Sequence, residues 1–153
     1  MYVGGAFRNI GGDARNRLAA FDATGKVTDW DPAPDNTVNA IVIADGTIYI
    51  GGSFLNIGGT PQNGLASFDA NSELTDWSPL SSGFVQSMAL DENNILYVGG
   101  SFFSMDGESR VRLASFNPDG SLSDWNPSAD DGIVNVVYPD GNLVYVGGAF
   151  TSV

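Results

Sequence analysis

The sequence predicts an all-β repeat protein, and three observations carry that prediction. A Tyr-x-Gly-Gly anchor occurs four times, as Tyr2-Val3-Gly4-Gly5, Tyr49-Ile50-Gly51-Gly52, Tyr97-Val98-Gly99-Gly100 and Tyr145-Val146-Gly147-Gly148, at spacings of 47, 48 and 48 residues. The first three anchors are each followed 28 residues on by a Trp, namely Trp30, Trp77 and Trp125. Between them, short β-branched and aromatic runs alternate with Gly-bearing turns, and nothing sustains the period of about 3.6 that a helix needs.

Each unit reads as four strands. The first is apolar and β-branched, as in Val38 to Ile43, Val85 to Leu90 and Ile133 to Tyr138. Asp45-Gly46 or Asp140-Gly141 then supplies a tight hairpin, because both residues tolerate positive φ. The second strand carries the anchor and runs on to a Phe, as in Ile48 to Phe54. A Gly-bearing loop (Asn56 to Asn63) leads to a third strand, Leu65 to Phe68. After a turn such as Pro118-Asp119-Gly120, a short fourth strand ends at the Asp-Trp pair, with Pro32, Pro79 or Pro127 two residues beyond the Trp. A Pro there closes the strand without needing a ladder N–H.

Four short antiparallel strands in a unit of this length form the pattern of a β-propeller blade. The recurring columns are then the surfaces through which blades pack: Phe7, Phe54 and Phe102, Leu18, Leu65 and Leu113, and the three Trp residues. The Gly pairs fall where a Cβ would hold neighbouring blades apart. A β-trefoil, also built from three four-stranded repeats, is the alternative. The chain holds three full repeats, 1–47, 48–95 and 96–143, and the start of a fourth, 144–153. Met1 falls in the column of Ile48 and Val153 in that of Ile57, so both ends cut through a repeat. The expectation is one repeat array that belongs to a longer propeller, with further blades in cis, or that assembles with a second copy, two copies closing a six-bladed ring.

Composition narrows the chemistry. Six Lys and Arg against 18 Asp and Glu leave a net charge of −12, which argues against nucleic acid or an anionic membrane as partner. The longest apolar run, Ala40 to Ala44, is too short for membrane insertion. There is no Cys and no His, so thiolate chemistry and the usual neutral-pH base and metal ligand are missing. No Gly-x-Ser-x-Gly elbow and no phosphate-binding Gly loop ahead of a helix occurs.

The unit from Tyr2 to Pro32 (YVGGAF, NIGG, RLAAFDATGKVTDWDP) resembles the delta-60 repeats of bacterial secreted and cell-surface proteins, and its double Gly with a distant Trp is similar to the kelch pattern. The resemblance covers essentially the whole chain. It implies a propeller, a bacterial source and an extracellular or cell-surface location, with the export signal outside this chain. It brings no catalytic residues.

Candidate ligand-binding residues lie where the units differ. All five Arg fall in loops on one face, and Arg15 and Arg17 of the first unit match Arg110 and Arg112 of the third. The second unit has Gln62 and Gly64 at those places. These Arg residues are candidates for acidic or sugar ligands, or for ion pairs from Arg17 and Arg112 to Asp29 and Asp124. Phe103 adds an exposed aromatic, and Asp130-Asp131 a carboxylate pair in the one fourth-to-first-strand loop that is a residue longer. The opposite, hairpin face carries Asp22, Asp45, Asp69, Glu73, Asp91, Glu92, Asp119 and Asp140, mostly turn residues. A weak Ca²⁺ site there is conceivable, but no Asp-x-Asp-x-Asp-Gly loop is present and no cofactor is expected. The functional expectation is a non-enzymatic structural or interaction module. A carbohydrate- or small-ligand-binding propeller is the alternative, and a glycoside-processing enzyme the third reading.

Overall fold

The computed structural model describes residues 1–153 and consists of strands and turns, with no helix. The first unit holds β1 (Tyr2–Gly4), a small hairpin of β2 (Asn9–Ile10) and β3 (Asp13–Ala14), and β4 (Leu18–Ala20). The second holds β5 (Val38–Ala44), β6 (Thr47–Gly52), the hairpin of β7 (Asn56–Ile57) and β8 (Thr60–Pro61), and β9 (Leu65–Phe68). The third repeats this with β10 (Val85–Leu90), β11 (Leu96–Gly100), β12 (Ser104–Met105), β13 (Glu108–Ser109) and β14 (Leu113–Phe116). The fourth has β15 (Val134–Asp140) and β16 (Leu143–Gly148).

Within a unit the order is antiparallel, β5-β6-β9 and β10-β11-β14. Asp45 and Gly46, at φ 48° and 82°, make the two-residue turn between β5 and β6. In the fourth unit Asp140 pairs with Leu143, so the turn is Gly141-Asn142, one residue later than the sequence suggests. The Gly-bearing loop between second and third strands is a miniature hairpin. Its two-residue turns, Gly11-Gly12, Gly58-Gly59 and Asp106-Gly107, all take positive φ. The fourth strand is shorter than expected. It amounts to one bridge per unit, Phe21 with Val27, Phe68 with Leu74 and Phe116 with Leu122. One further bond follows, from Thr75 N–H to the Ser67 carbonyl and from Ser123 N–H to the Ser115 carbonyl. The chain then swings out of the sheet, which delivers the Trp two residues later to the next unit.

The units stack face to face in chain order without sharing a ladder, so they form no closed trefoil barrel. Their first strands lie side by side. Asn39 Nδ2 donates to the Val85 carbonyl at 2.8 Å, and the Val137 N–H donates to Ser87 Oγ at 3.1 Å. The apolar core is consequently divided among the junctions. Leu18 and Trp30 meet Val38, Ile50, Phe54 and Phe68. Leu65 and Trp77 meet Val85, Val98, Phe102 and Phe116. Leu113 and Trp125 meet Val134, Val137 and Val146.

In the second and third anchors the two glycines serve different ends. A Cβ on the first would lie 2.7 Å from Val38 Cγ1 at Gly4, 2.6 Å from Val85 Cγ1 at Gly51 and 2.6 Å from Val134 Cγ1 at Gly99. That is the close approach between units that the sequence predicts. The second glycine answers its own unit instead. The first strand bulges between Val38 and Ala40, and again between Val85 and Ser87, and pushes a carbonyl into the sheet. A Cβ at Gly52 or Gly100 would sit 2.1 Å from the oxygen of Thr37 or Phe84.

Each Trp locks one unit to the next. Trp30 stands edge-on between Tyr2 (centroids 5.4 Å apart) and Phe68 (5.1 Å), and its indole N–H donates to the Ser72 carbonyl at 3.0 Å. Trp77 repeats this between Tyr49 (5.3 Å) and Phe116 (5.2 Å), donating to Gly120 at 3.0 Å. Edge-to-face pairs of this kind contribute about 0.5–1.5 kcal/mol beyond their buried area.

Gly51→Ala places a methyl against Val85 and, at 2.9 Å, Met88 Sδ. It is expected to cost about 1–3 kcal/mol in urea denaturation, the usual range for overpacking. Val85→Ala in the same chain should return part of that loss; additive costs would show that Gly51 is not a contact point between units.

Candidate functional site

The loops after the second strands and the loops leading into the first strands share one face, and every residue singled out from the sequence as a ligand contact lies there. The guanidinium groups are turned inward to backbone carbonyls. Arg15 Nη2 donates to Thr28 and Arg110 Nη2 to Ser123, both at 2.8 Å, tying the miniature hairpin to the fourth-strand bridge of its own unit. Arg17 Nη1 donates to the Pro34 carbonyl at 2.8 Å. Arg112 Nη1 donates to Ala129 at 2.5 Å and to Asp130 at 2.8 Å. The anticipated pairing of Arg17 and Arg112 with Asp29 and Asp124 is replaced by these bonds. Arg110 and Arg112 are only 9% and 8% exposed, so little of either is left to meet a ligand.

The column of Arg17, Gly64 and Arg112 has a backbone reason for its odd composition. All three residues hold positive φ, at 64°, 80° and 66°. Gly takes that conformation without strain, whereas the two Arg residues are held in it by their reach into the next unit's lead-in loop.

Asp131 belongs to a second such column, with Asp35 and Ser82. Each caps free N–H groups in the loop after the second strand. Leu55 N–H donates to Asp35 at 2.8 Å, Phe103 and Ser104 N–H to Ser82 Oγ at 2.9 Å each, and Thr151 N–H to Asp131 at 2.9 Å. The Thr151 hydroxyl, then its N–H, hold the Asp131 carboxyl below the usual 3.8, with Arg112 adding to the effect. At Asp35 burial pushes the pKa up, but Asn56, the Leu55 N–H and the Arg17 charge outweigh it and leave the group lowered. Arg and Asp therefore occur together at two junctions (Arg17 with Asp35, Arg112 with Asp131), and at the middle one both are absent, as Gly64 and Ser82. Asp130 accepts from the Ser152 hydroxyl, so neither carboxylate of the pair is unengaged.

Arg8 stays exposed on this face, and beside it the outward features are apolar side chains. Phe103 is 62% exposed and lies over the Arg112 guanidinium, 5.0 Å from ring centroid to Cζ. Leu55 is 58% and Phe84 53% exposed, and both line a shallow recess of about 80 Å³ with Ser82, next to Phe103. Sequence reasoning places Leu55 only as the second unit's counterpart of Arg8, and it passes over Phe84. The signal is present: Leu55 and Phe103 stand in a column that reads Arg8 and Thr151 elsewhere, and Phe84 stands where the first unit has Thr37 and the fourth Ile133.

On the opposite face the acidic residues close their own turns. Asp22 accepts from Thr24 and Lys26 N–H, Asp69 from Asn71 and Glu73 N–H, Asp91 from Asn93 and Ile95 N–H, and Asp119 from Ser121. Nowhere do three His, Cys, Asp or Glu side chains converge as metal donors would.

Gln62 stands in the column of Arg15 and Arg110, is 3% exposed, and its Oε1 has no hydrogen-bond partner. Gln62→Arg should restore the reach to the Thr75 carbonyl and raise stability by about 1 kcal/mol, the scale of one buried bond regained. Chemical denaturation reads it; a loss of stability would mean the second unit has no room for the guanidinium.

Residues 43–74 and 93–122 match a family model described as "Domain of unknown function (DUF5122) beta-propeller". No curated protein matches the chain. The two matched stretches are successive copies of the same part of the repeat. Each contains the second strand, the miniature hairpin, the third strand and the fourth-strand bridge residue, Leu74 or Leu122. Together with the all-β architecture and the stacked sheets, the match supports a β-propeller repeat family for this chain.

Proposed function

We propose that the chain is a non-catalytic interaction scaffold, a propeller module of the delta-60 or kelch-like kind from a bacterial secreted or cell-surface protein, which docks a polypeptide on the face bearing Phe103. The observation that carries this reading is the group of Leu55, Phe84 and Phe103, each more than half exposed around Ser82. Clustered exposed apolar side chains on an otherwise polar surface mark binding sites, and aromatic residues dominate such contacts energetically. The frame beneath is stiff, because Arg112 and Ser82 are both bonded into the backbone. A net charge of −12 favours a partner that sets Lys or Arg beside its apolar anchors. Acid–base chemistry finds no support at Asp130 and Asp131, whose carboxylates accept from Ser152 and Thr151.

Peptide display against the immobilised chain tests the reading, with the Phe84→Ala/Phe103→Ala double variant as counter-screen. Enriched peptides should carry apolar and basic residues and bind the double variant at least tenfold more weakly, a loss of about 1.4 kcal/mol or more. Selective binding on a glycan array that the double variant retains, with no such peptides, would overturn the proposal in favour of a sugar ligand.

A further inference from the structure

The junction between the second and third units lacks a side chain that the junctions on either side of it possess. Arg17 and Arg112 each reach from just before a third strand into the lead-in loop of the next unit. There Arg17 donates to the Pro34 carbonyl at 2.8 Å, and Arg112 to those of Ala129 and Asp130 at 2.5 and 2.8 Å. Gly64 holds the same column in the second unit, so nothing makes this reach. The receiving backbone is nevertheless built alike. Ser81 N–H donates to the Asn63 carbonyl at 3.3 Å, just as Ala129 N–H donates to Val111 at 3.2 Å. The difference lies in the acceptors: the Ser81 and Ser82 carbonyls take no hydrogen bond from the chain, whereas Pro34, Ala129 and Asp130 each take a guanidinium N–H. The recess of about 80 Å³ that Leu55 and Phe84 line is the space left over, with Gly64, Ser81 and Ser82 in its wall. A Cβ on Gly64 would point toward Ser81, 3.7 Å from its Cβ. Ser81 does not fill the gap, because its hydroxyl turns to its own loop and donates to the Gly83 carbonyl at 2.8 Å.

We propose that this recess is a socket for an arginine side chain supplied by the docked polypeptide. The partner class rests on the polypeptide reading above, whereas the socket is a property of the Gly64 junction itself. The chain's own arginines show how the group is held. Carbonyl oxygens of a lead-in loop meet a planar fork of N–H donors, a geometry that guanidinium fits and a point-charge ammonium does not. A ring beside the charge is part of the arrangement: Phe103 lies 5.0 Å from Arg112 Cζ, and Phe84 lines the vacant recess. A carboxylate is missing from it. Asp35 and Asp131 feel the charges of Arg17 and Arg112, and Ser82 stands in their column at the middle junction. Losing the Asp together with the Arg leaves a neutral cradle instead of an unpaired anion. The guest's charge is favoured by the field of the whole chain, at a net −12.

Methylguanidinium is the probe, titrated into the 153-residue chain and followed by amide NMR. It should shift Gly64, Ser81, Ser82 and Gly83, and methylammonium should need about tenfold more to do the same. Gly64→Arg should fold with an unchanged or higher urea midpoint, since Arg17 and Arg112 hold positive φ in this column, and should abolish those shifts. Ser82→Asp restores the missing carboxylate and should tighten methylguanidinium about threefold. Asn93→Asp, the same charge change on the exposed hairpin face, should leave it unchanged. Equal response to the two cations, shifts that persist in Gly64→Arg, or equal tightening by the two acidic substitutions would overturn the socket. Selected peptides that need Phe84 and Phe103 yet bind equally with Lys for each Arg would overturn it too, while polypeptide docking stands. Methylguanidinium held at Gly64 with no peptide selected would overturn the polypeptide as the source of the arginine.

Discussion

The bond that the Trp30 and Trp77 indoles each make to a turn carbonyl in the next unit is the constraint on which the rest depends. A sheet of three short strands has two faces and cannot cover either by itself. The indole N–H, a donor with no acceptor inside its own unit, finds one in Ser72 or Gly120 only if the next sheet lies flat against the first. That distance in turn requires the first glycine of each anchor, because any Cβ there would strike the valine that opens the following unit. The Trp, the glycine and the valine are therefore one device written at three places in the repeat. The fourth strand is sacrificed to it, since the chain must leave the sheet after a single bridge for the Trp to reach across.

Most of this was legible in the sequence because it repeats. The constant 28-residue interval marks the Trp residues as packing surfaces, and the third strand, Leu65 to Phe68, falls where the apolar run puts it. Legibility failed where one residue type serves two physical ends. The two glycines of the anchor look alike in sequence, yet one admits a neighbouring unit and the other a carbonyl of its own bulged strand. The Gly-Gly pairs between the second and third strands look like plain loop in sequence, although two residues at positive φ make a tight hairpin. In sequence the Arg residues look like charges seeking carboxylates or ligands. Their targets are backbone oxygens, which no side-chain pattern displays.

The candidate site shows the same division. In sequence Asp131 stands out through its neighbour Asp130, a pairing along the chain, while its role as a cap is shared with Asp35 and Ser82, one in each lead-in loop. Once the repeated columns are assigned to the frame, what remains is the set of positions where units diverge without structural cause. Leu55, Phe84 and Phe103 are such positions; Leu55 and Phe84 line one recess, and the Phe103 N–H is bonded to Ser82 in its wall. A repeat chain separates scaffold from site in this way: invariance across units records packing, and variation on a loop face records what that face is for.

If stability lies between the units, no unit can open alone. Native-state hydrogen exchange of the Trp77 indole N–H tests this directly, because that proton is held across the junction at 3.0 Å. Its exchange should require global unfolding, with the same free energy and denaturant dependence as the β6 and β11 amides. Rapid exchange that is insensitive to denaturant, while those amides stay protected, would show that the units are stable by themselves and that the latch between them opens freely.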